Sequence, residues 1–412
     1  MCIRDNSLAA VGSNTSLIAL LTNMFLGLSI GANILAARYF GAHEDEELSK
    51  TVHTSILLSL YSGVFLTVVG ILGARTILIW MQTPENVLDL ATLYLRIYFL
   101  GMTATMVYNF GAALLRAEGD TQRPLYFLFL AGIINVVLNL FFVIGFHLDV
   151  AGVAIATVIS QCVSAGLVLL CLVKSHTPYR VDLRRLGLKK DKLWGMVKIG
   201  LPAGIQGCSF SISNVLIQSS INSFGAMAMA GNTAASNIEG FVSTAQDAFA
   251  QAALSFTGQN MGAGKTRRVN RILLLCLVLV TGTGLVLGTG AFLLGHQLLG
   301  IYSADPQVIA FGIRRMSICC VLQFVGGLMG VMVGVLRGMG YSFIPMAITI
   351  GFVCGFRVVW IFTVFAMFPT LEALYVSYPI TWGLAALCDG VCFLIVHRHV
   401  SKKQRLATGA RE

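Results

Sequence analysis

Glu239 and Asp247 stand inside an apolar stretch of the sequence, 228–257, where an ionised side chain is costly to bury. Placing one at the centre of a membrane helix costs roughly 2.5–3.5 kcal/mol on insertion scales, so a carboxylate there is a candidate for binding an ion or a solute. Further polar side chains follow at steps of three or four residues: Asn232, Ser236, Ser243 and Gln251. This spacing predicts one polar stripe along a helix, facing a water-filled cavity or the interior of a bundle.

The stripe also has a simpler interpretation, in which its side chains only join neighbouring helices by hydrogen bonds. Both interpretations stay open for the Asn and Ser members and for Asp247. For Glu239 we favour the functional one, because a glutamine would join helices without burying a charge. Asp389 is the third acid inside an apolar stretch and a weaker candidate, because it lies near the end that leads to His397 and Arg398.

The first half of the chain offers amides and hydroxyls instead of acids. Asn135 and Asn139 are four residues apart and therefore share one helix face. Asn109 and Thr157 add polarity to neighbouring apolar stretches. Such groups can ligate Na⁺ or line a path for a solute, but they carry no titrating proton. Packing between helices explains each of them equally well.

Arg357 is a base within another apolar stretch, 343–368. Three interpretations stay open: a counter-ion to Glu239 or Asp247, a site for an anionic group, and a structural arginine that donates to backbone carbonyls. Each of them would offset part of the cost of placing a guanidinium among apolar side chains.

The composition around these residues is that of a polytopic helical membrane protein. The 412 residues are 56% hydrophobic and only 11% charged, with a mean hydropathy of +0.81, whereas a soluble domain carries about 25% charged residues. Apolar runs recur that are long enough to cross a bilayer as helices, which takes about 20 residues. We predict an all-α fold with eleven spans, at 14–37, 53–80, 91–115, 124–146, 150–173, 197–222, 228–257, 270–299, 308–336, 343–368 and 374–396.

The basic residues are distributed unevenly between the connections of these spans. Of the 28 Lys and Arg residues, 22 lie in every second connection and in the tail, whereas the opposite connections hold mainly acids. The positive-inside rule therefore places the linker 174–196 and the tail 397–412 in the cytoplasm. It also explains the net charge of +10 without nucleic acid as a partner. We expect a multi-pass protein of the inner membrane with a cytoplasmic C-terminus.

Two loops repeat one pattern 221 positions apart. Arg116, Gly119 and Pro124 recur as Arg337, Gly340 and Pro345. The glycines suit a turn with positive φ, and the prolines suit the first turn of the following helix. We interpret both loops as structural hinges between corresponding spans. Gly41-Ala42 and Gly262-Ala263 share the same offset, so the repeat extends well beyond the loops.

The repeat predicts two pseudo-symmetric helical bundles on a plan of six spans each. The first bundle is 1–173 with five spans, the second is 197–396 with six, and they are separated by the linker 174–196. Span 197–222 has no partner 221 positions upstream, so we expect the sequence to be a fragment that lacks its first helix. Parallel repeats of this kind occur in secondary transporters.

Patterns for a metal, a cofactor or an enzyme active site are missing from the sequence. The ten cysteines are scattered and lack metal-site spacing. Gly264-Lys265-Thr266 is similar to the end of a phosphate-binding loop, but Gln259 stands where that motif needs glycine. Residues 44–47 form an acidic run, which we interpret as a solvated helix start. We therefore expect neither a cofactor nor an enzyme.

Several motifs together resemble the multidrug and toxic compound extrusion (MATE) family. In the family's order they are Leu115-Arg116-Ala117-Glu118-Gly119-Asp120-Thr121, Ile134-Asn135-Val136-Val137-Leu138-Asn139, Gly200-Leu201-Pro202-Ala203-Gly204 and Gly258-Gln259-Asn260-Met261-Gly262-Ala263-Gly264. The resemblance covers 8–397. It implies two six-helix lobes and alternating-access antiport of cationic, amphipathic drugs or toxic metabolites, coupled to Na⁺ or H⁺. We expect a monomer in contact with membrane lipid.

The family's site residues carry over only in part. Proton-coupled members have an Asp in the first helix, which is absent here, and an Asp in the fifth at the position of Asn139. Members with a second-lobe cation site have carboxylates in the seventh and tenth helices, whereas spans 197–222 and 308–336 contain none. Glu239 in the eighth helix is therefore the best remaining acid. The alternative is a flippase of lipid-linked glycans on a related fold, which would need a groove lined by Arg and Lys.

Overall fold

Helices form nearly all of the computed structural model, which describes residues 2–80, 85–175, 177–182, 184 and 186–409. Arg185 of the predicted basic linker and Arg411 of the predicted tail lie outside the described residues. The helices of the first half are α1 Cys2–Ala42, α2 Asp45–Trp80, α3 Glu85–Leu100, α4 Met102–Glu118, α5 Gln122–Leu140 with a π-helical end Phe141–Gly145, and α6 Asp149–Lys174.

The second half repeats this order with more breaks. Its helices are α7 Lys190–Asn222, α8 Ala226–Gly262, α9 Thr266–Leu293, α10 Gly295–Tyr302, α11 Pro306–Ile318, α12 Gln323–Gly338, α13 Phe343–Ile348, α14 Phe356–Trp360 and α15 Leu371–Gly409. Two π-helical segments, Thr349–Gly355 and Ile361–Phe365, flank α14. Together with α13 they form one continuous helical span, Phe343–Phe365. The described residues contain no β-strand, so the predicted all-α class is confirmed.

Each predicted span falls on one helix or on consecutive helices of the structure, although α1, α2, α7 and α15 extend well beyond the predicted bounds. Among the described residues, seven helices are long and apolar enough to cross a membrane, and two bent pairs raise the number to nine. The bends are 45° between α3 and α4 and 49° between α11 and α12. The remaining two predicted spans lie in α7 and α8, the helices that carry many of the polar side chains discussed below.

The chain divides into two compact units, a first unit Met1–Cys208 and a second unit Ser209–Glu412. The core of the first unit lies between α2, α4 and α6, around Val52, Leu115 and Val168. In the second unit, α8, α12 and α15 contribute to the apolar clusters. The division falls within α7, whereas the repeat alone suggested the linker 174–196 as the boundary.

Close packing of α1 against the start of α7 explains this position of the division. Gly27 and Gly31 on α1 meet Gly200 and Gly204 on α7, each pair being four residues apart. A Cβ built on Gly27 would lie only 2.3 Å from the backbone nitrogen of Gly204. Small residues at such spacing let two membrane helices approach through their backbones, so the first turns of α7 belong to the first unit.

The linker also packs on the first unit. The buried Lys192 at the start of α7 bonds the carboxylate of Glu47 and donates to the hydroxyl of Tyr39 at 2.7 Å. Burial opposes the charged form of Lys192, but the hydrogen bonds that it donates to Glu47, Tyr39 and Asp191 outweigh this effect and raise its pKa well above the usual range. The predicted helix start is confirmed at the same place, since Asp45 to Glu47 form the first turn of α2.

The two repeated loops have the same backbone conformation. Gly119 has φ of 104° and Gly340 has φ of 90°, so the predicted positive φ is confirmed at both positions. Each glycine follows the last turn of its helix, and the crossed hydrogen bonds of a Schellman motif are present in both. The donors are the amides of Gly119, Asp120, Gly340 and Tyr341, bonded to the carbonyls of Arg116, Leu115, Arg337 and Leu336.

The prolines that follow these turns also take the predicted place. Pro124 is the third residue of α5 and Pro345 the third of α13. Proline has no N–H to lose in the first turn of a helix, where that donor has no partner within the helix. The carbonyl of Pro124 accepts a hydrogen bond of 3.0 Å from the buried hydroxyl of Tyr108, which ties α5 to α4.

Candidate functional site

Glu239 forms a buried ion pair with Arg315 in the second unit. The guanidinium donates from Nε to one carboxylate oxygen at 2.9 Å and from Nη2 to the other at 2.7 Å. Both residues are only 6% exposed. This two-pronged geometry is the strongest form of a carboxylate–arginine contact. It joins α8 to the last turn of α11, next to the bend that leads into α12.

The ion pair continues into a chain of amides. Arg315 Nη1 donates to Asn232 Oδ1 at 2.7 Å, and Asn232 Nδ2 donates to Gln218 Oε1 at 2.8 Å. Gln218 donates in turn to Asn222 at 2.9 Å. Asn232 and Glu239 are two turns apart on the predicted stripe of α8, so Arg315 donates hydrogen bonds to two side chains of the stripe. The network therefore links α7, α8 and α11.

Burial makes this network sensitive to the charge of either partner. A buried ion pair returns little net free energy of folding, but removing one partner leaves a charge without compensation and costs about 3–5 kcal/mol. Loss of the negative charge of Glu239 would therefore leave the buried Arg315 without an anion.

Arg315 is the functional candidate that the sequence analysis missed. It lies in the predicted span 308–336, which contains no carboxylate and for that reason offered no candidate acid. The available signal was the arginine itself, a base inside an apolar span. The structure also decides the question of the counter-ion, since the partner of Glu239 is Arg315 and not Arg357.

Arg357 belongs to a second buried cluster of the second unit and is 1% exposed. Its partners are side-chain oxygens at 3.2–3.4 Å, from Ser213, Asn214 and Thr381. Its Nη2 has no hydrogen-bond partner among the described residues. The described partners of Arg357 are therefore side-chain oxygens, whereas the structural interpretation proposed backbone carbonyls.

Tyr378 lies between the two arginines. Its ring centre is 4.3 Å from the guanidinium carbon of Arg357 and 5.3 Å from that of Arg315. An aromatic face attracts a cation within about 6 Å. One carboxylate, Glu239, thus stands against two guanidinium groups, so the combined network carries a net positive charge when all three are ionised.

The rest of the α8 stripe has mixed surroundings. Ser243 accepts a hydrogen bond of 2.7 Å from Gln323 on α12, which is the helix-joining role. Asp247 is exposed, and within the described part of the chain neither a hydrogen bond nor an ion pair reaches its carboxylate. Gln251 is half-buried one turn further on. Of the two acids proposed on α8, only Asp247 is a free carboxylate.

Asp389 on α15 is fully buried. Neither of its carboxylate oxygens has a hydrogen-bond partner among the described residues. The charge of Arg337 on α12 acts on Asp389 electrostatically. Arg337, placed among the hinge residues, therefore also neighbours a buried acid.

The predicted amides of the first unit form a small neutral cluster. Asn139 donates to Asn135 at 3.0 Å, and Asn135 lies 3.4 Å from the hydroxyls of Thr157 and Ser160 on α6. Asn109 is not part of it, since its amide donates to the carbonyl of Thr105 on its own helix. The cluster offers amide and hydroxyl oxygens without a formal charge.

The two clusters occupy corresponding positions of the repeat. Thr157 and Ser160 correspond to Tyr378 and Thr381 at the common offset of 221. Asn135 corresponds to Arg357 at 222, and the π-helical segment before Arg357 accounts for the extra residue, because i→i+5 bonding holds one more residue per turn. The second unit therefore carries a guanidinium where the first carries an amide.

Comparison with known proteins places the chain among membrane transporters. The sequence profile of the MatE family matches residues 3–141 and 202–363, which is more than half of the chain. The chain is 27% identical over 391 residues to the probable multidrug resistance protein YoeA of Bacillus subtilis, covering 93% of this chain and 84% of the relative. It is 25% identical over 312 residues to an FAD transporter of Shewanella oneidensis, with 74% and 68% covered.

A solved structure shares the fold. It is the outward-facing conformation of a multidrug resistance MATE family transporter of the MOP superfamily. The TM-score is 0.88 at 23% sequence identity, and the match covers 97% of this chain and 89% of that one. At this level of identity the likeness concerns the arrangement of the helices.

Proposed function

Since the chain belongs to the MatE family of transporters, we propose that it exports small molecules across the inner membrane by antiport coupled to an ion, either Na⁺ or H⁺. The coupling carboxylate in this proposal is Glu239. The protein works by alternating access, as a monomer, with its C-terminus in the cytoplasm. The observation that carries the proposal is the buried two-pronged ion pair between Glu239 and Arg315.

The ion pair supports coupling because its two states have different charge. When H⁺ or Na⁺ takes the carboxylate, Arg315 is left buried without an anion, and a rearrangement that gives the guanidinium water or another partner becomes favourable. The ion shifts the equilibrium only by as much as it binds one state better than the other. Asn232 connects this change to α7 through Gln218.

Cationic, amphipathic compounds are the first proposed cargo. The free carboxylate of Asp247 on α8 supports them, and multidrug relatives are consistent with a broad range of compounds. Glu239 contributes less to the binding of a cationic cargo than the sequence suggested, because Arg315 already neutralises its charge.

Anionic organic molecules are the second candidate. Arg357 favours them, because it is buried and its described partners include no carboxylate. The similarity to an FAD transporter points to the same class. A flippase of lipid-linked glycans would need a row of bases, and of the two arginines in this core one is already paired.

Vesicle efflux under separately imposed Na⁺ and H⁺ gradients tests the proposal. The protein is reconstituted into vesicles, the vesicles are loaded with a cationic or an anionic dye, and each gradient is applied alone. We expect one gradient to drive export, and Glu239→Gln to abolish that dependence. Gradient-driven export that persists unchanged in Glu239→Gln would refute the role of Glu239. Asn237→Ala, an exposed neutral change on the same helix, is the matched control.

A further inference from the structure

A basic cleft of about 860 Å³ lies at the end of the second unit where the turn between α8 and α9 meets the end of α15. Six basic side chains line it: Lys265, Arg267, Arg268, His397, Arg398 and Lys402. None of the described residues that line the cleft is acidic. Such a concentration of positive charge predicts an anionic ligand.

Hydrogen bonds hold the two walls of the cleft together. The hydroxyl of Thr266, the first residue of α9, donates to Gln404 Oε1 at 2.8 Å. The amide of Gln404 donates to the carbonyl of Gly264. His397 on α15 lies 3.3 Å from the carbonyl of Thr266. The cleft is therefore a defined feature between two helices and not a loose pair of tails.

The positive charge at the start of α9 opposes the ordinary preference of a helix. The N-terminus of a helix carries a partial positive charge, which favours acids and disfavours Lys and Arg in the first turn. Arg267 and Arg268 nevertheless occupy the second and third positions of α9, and Lys265 is its N-cap. An anion bound there would offset the positive charge of both the helix N-terminus and these side chains.

The first unit provides an internal comparison. Its equivalent turn has the same backbone, since His43 has φ of 57° and Gly264, at the offset of 221, has φ of 69°. The charge is reversed at three of the four positions that follow, because Glu44, Glu46 and Glu47 correspond to Lys265, Arg267 and Arg268, while Asp45 corresponds to the neutral Thr266. The acids follow the charge preference of a helix start, whereas the bases oppose it.

An apolar groove continues from the cleft along the surface of α9 and α15. It encloses about 430 Å³ and shares Asn270, His397 and Arg398 with the cleft. Its other walls are leucines of the two helices, Leu273, Leu274, Leu277 and Leu394. Both helices are candidate membrane spans, and Leu274 and Leu394 are 62% and 57% exposed. The groove thus runs from the charged end along the apolar surface of these two candidate spans.

We propose that an anionic phospholipid binds here, with its phosphate in the basic cleft and an acyl chain along the leucine groove. A free phosphate would use only the cleft, whereas a phospholipid accounts for both halves of the site. Basic sites between membrane helices are suited to anionic headgroups. The bound lipid would hold the end of α15 against the turn between α8 and α9.

Native mass spectrometry of the purified full chain tests the proposal, with phosphatidylglycerol and phosphatidylcholine as the two lipid probes. We expect phosphatidylglycerol to bind in preference to phosphatidylcholine. The double variant Arg267→Gln/Arg398→Gln should weaken phosphatidylglycerol binding about 25-fold, because each basic residue near a membrane surface is worth roughly a factor of five. Lys189→Gln/Lys190→Gln removes the same charge from exposed residues of the linker and should leave binding unchanged.

Two further arms separate the lipid from a free anion. Leu274→Ser/Leu394→Ser should weaken phosphatidylglycerol binding while leaving the thermal unfolding of the protein unchanged, since both side chains are exposed. Inorganic phosphate at the same concentration should not displace the lipid. Equal displacement by phosphate, or an arginine variant that binds as well as the linker control, would overturn the proposal.

Discussion

Arg357 holds in the second unit the position that Asn135 holds in the first. Asn135 lies 3.4 Å from the hydroxyl of Ser160, and Arg357 lies 3.3 Å from the corresponding hydroxyl of Thr381. The two halves thus keep one arrangement of a polar side chain against a hydroxyl and differ in charge. A neutral amide in one unit and a guanidinium in the other give the two units different electrostatic tasks.

Arg357→Gln therefore tests whether the charge selects the cargo. Glutamine keeps a donor for Ser213, Asn214 and Thr381 but removes the charge, so we expect export of an anionic dye to fall at least about tenfold, by loss of roughly 1.5–3 kcal/mol of charged hydrogen bonding. Export of a cationic dye should persist or rise. Asp247→Asn is the counterpart on α8 and should reduce export of the cationic dye instead. Equal losses for both dyes in Arg357→Gln would indicate a structural role.

The ion pair between Glu239 and Arg315 predicts a non-additive pattern of stability. Glu239→Met leaves a buried guanidinium unpaired and should lower the free energy of unfolding by about 3–5 kcal/mol. Arg315→Met should do the same to the carboxylate. The double variant should recover most of this loss, because an apolar pair replaces an ion pair at little cost. Thermal unfolding in detergent measures the cycle, and additive losses would contradict a direct pair.

The glycine contact between α1 and α7 predicts a steric effect of a single methyl group. A Cβ on Gly204 would lie 2.4 Å from the carbonyl oxygen of Met24, so Gly204→Ala should force the helices apart and cost about 1–3 kcal/mol. Gly207→Ala on the same helix meets Asn23 at an ordinary 3.4 Å and serves as the control. The midpoint of thermal unfolding should fall for the first variant and stay nearly constant for the second.

Replacement of Gly119 should lower the stability of the protein through backbone strain alone. Nothing lies within 4 Å of a Cβ built on it, but its φ of 104° is unfavourable for any residue with a Cβ. Gly119→Ala should therefore destabilise the protein by about 1–2 kcal/mol. Gly132→Ala, in the interior of α5 and equally free of contacts, should be neutral or slightly stabilising. A loss of stability at both positions would exclude backbone strain as the cause.

Local features of the sequence determined the helices and the turns. Apolar runs of bilayer length place the spans, because an unbonded backbone cannot remain in the hydrocarbon and must form helices there. The offset between Gly119 and Gly340 predicted two turns with the same positive φ, because that conformation is a property of a few consecutive residues. The acidic run 44–47 likewise predicted the start of α2, in agreement with the charge preference of a helix N-terminus.

Contacts between distant residues were decided only by the tertiary structure. Glu239 and Arg315 are 76 positions apart, and nothing in the spacing along the chain states which helices meet or at what rotation. The same holds for the basic cleft, whose walls come from the start of α9 and the end of α15. The sequence by itself therefore determined which charges lie in the membrane helices and which turns connect them. The packing of the helices decided which charge is neutralised, because a side chain can compensate only the charge that lies within hydrogen-bonding distance.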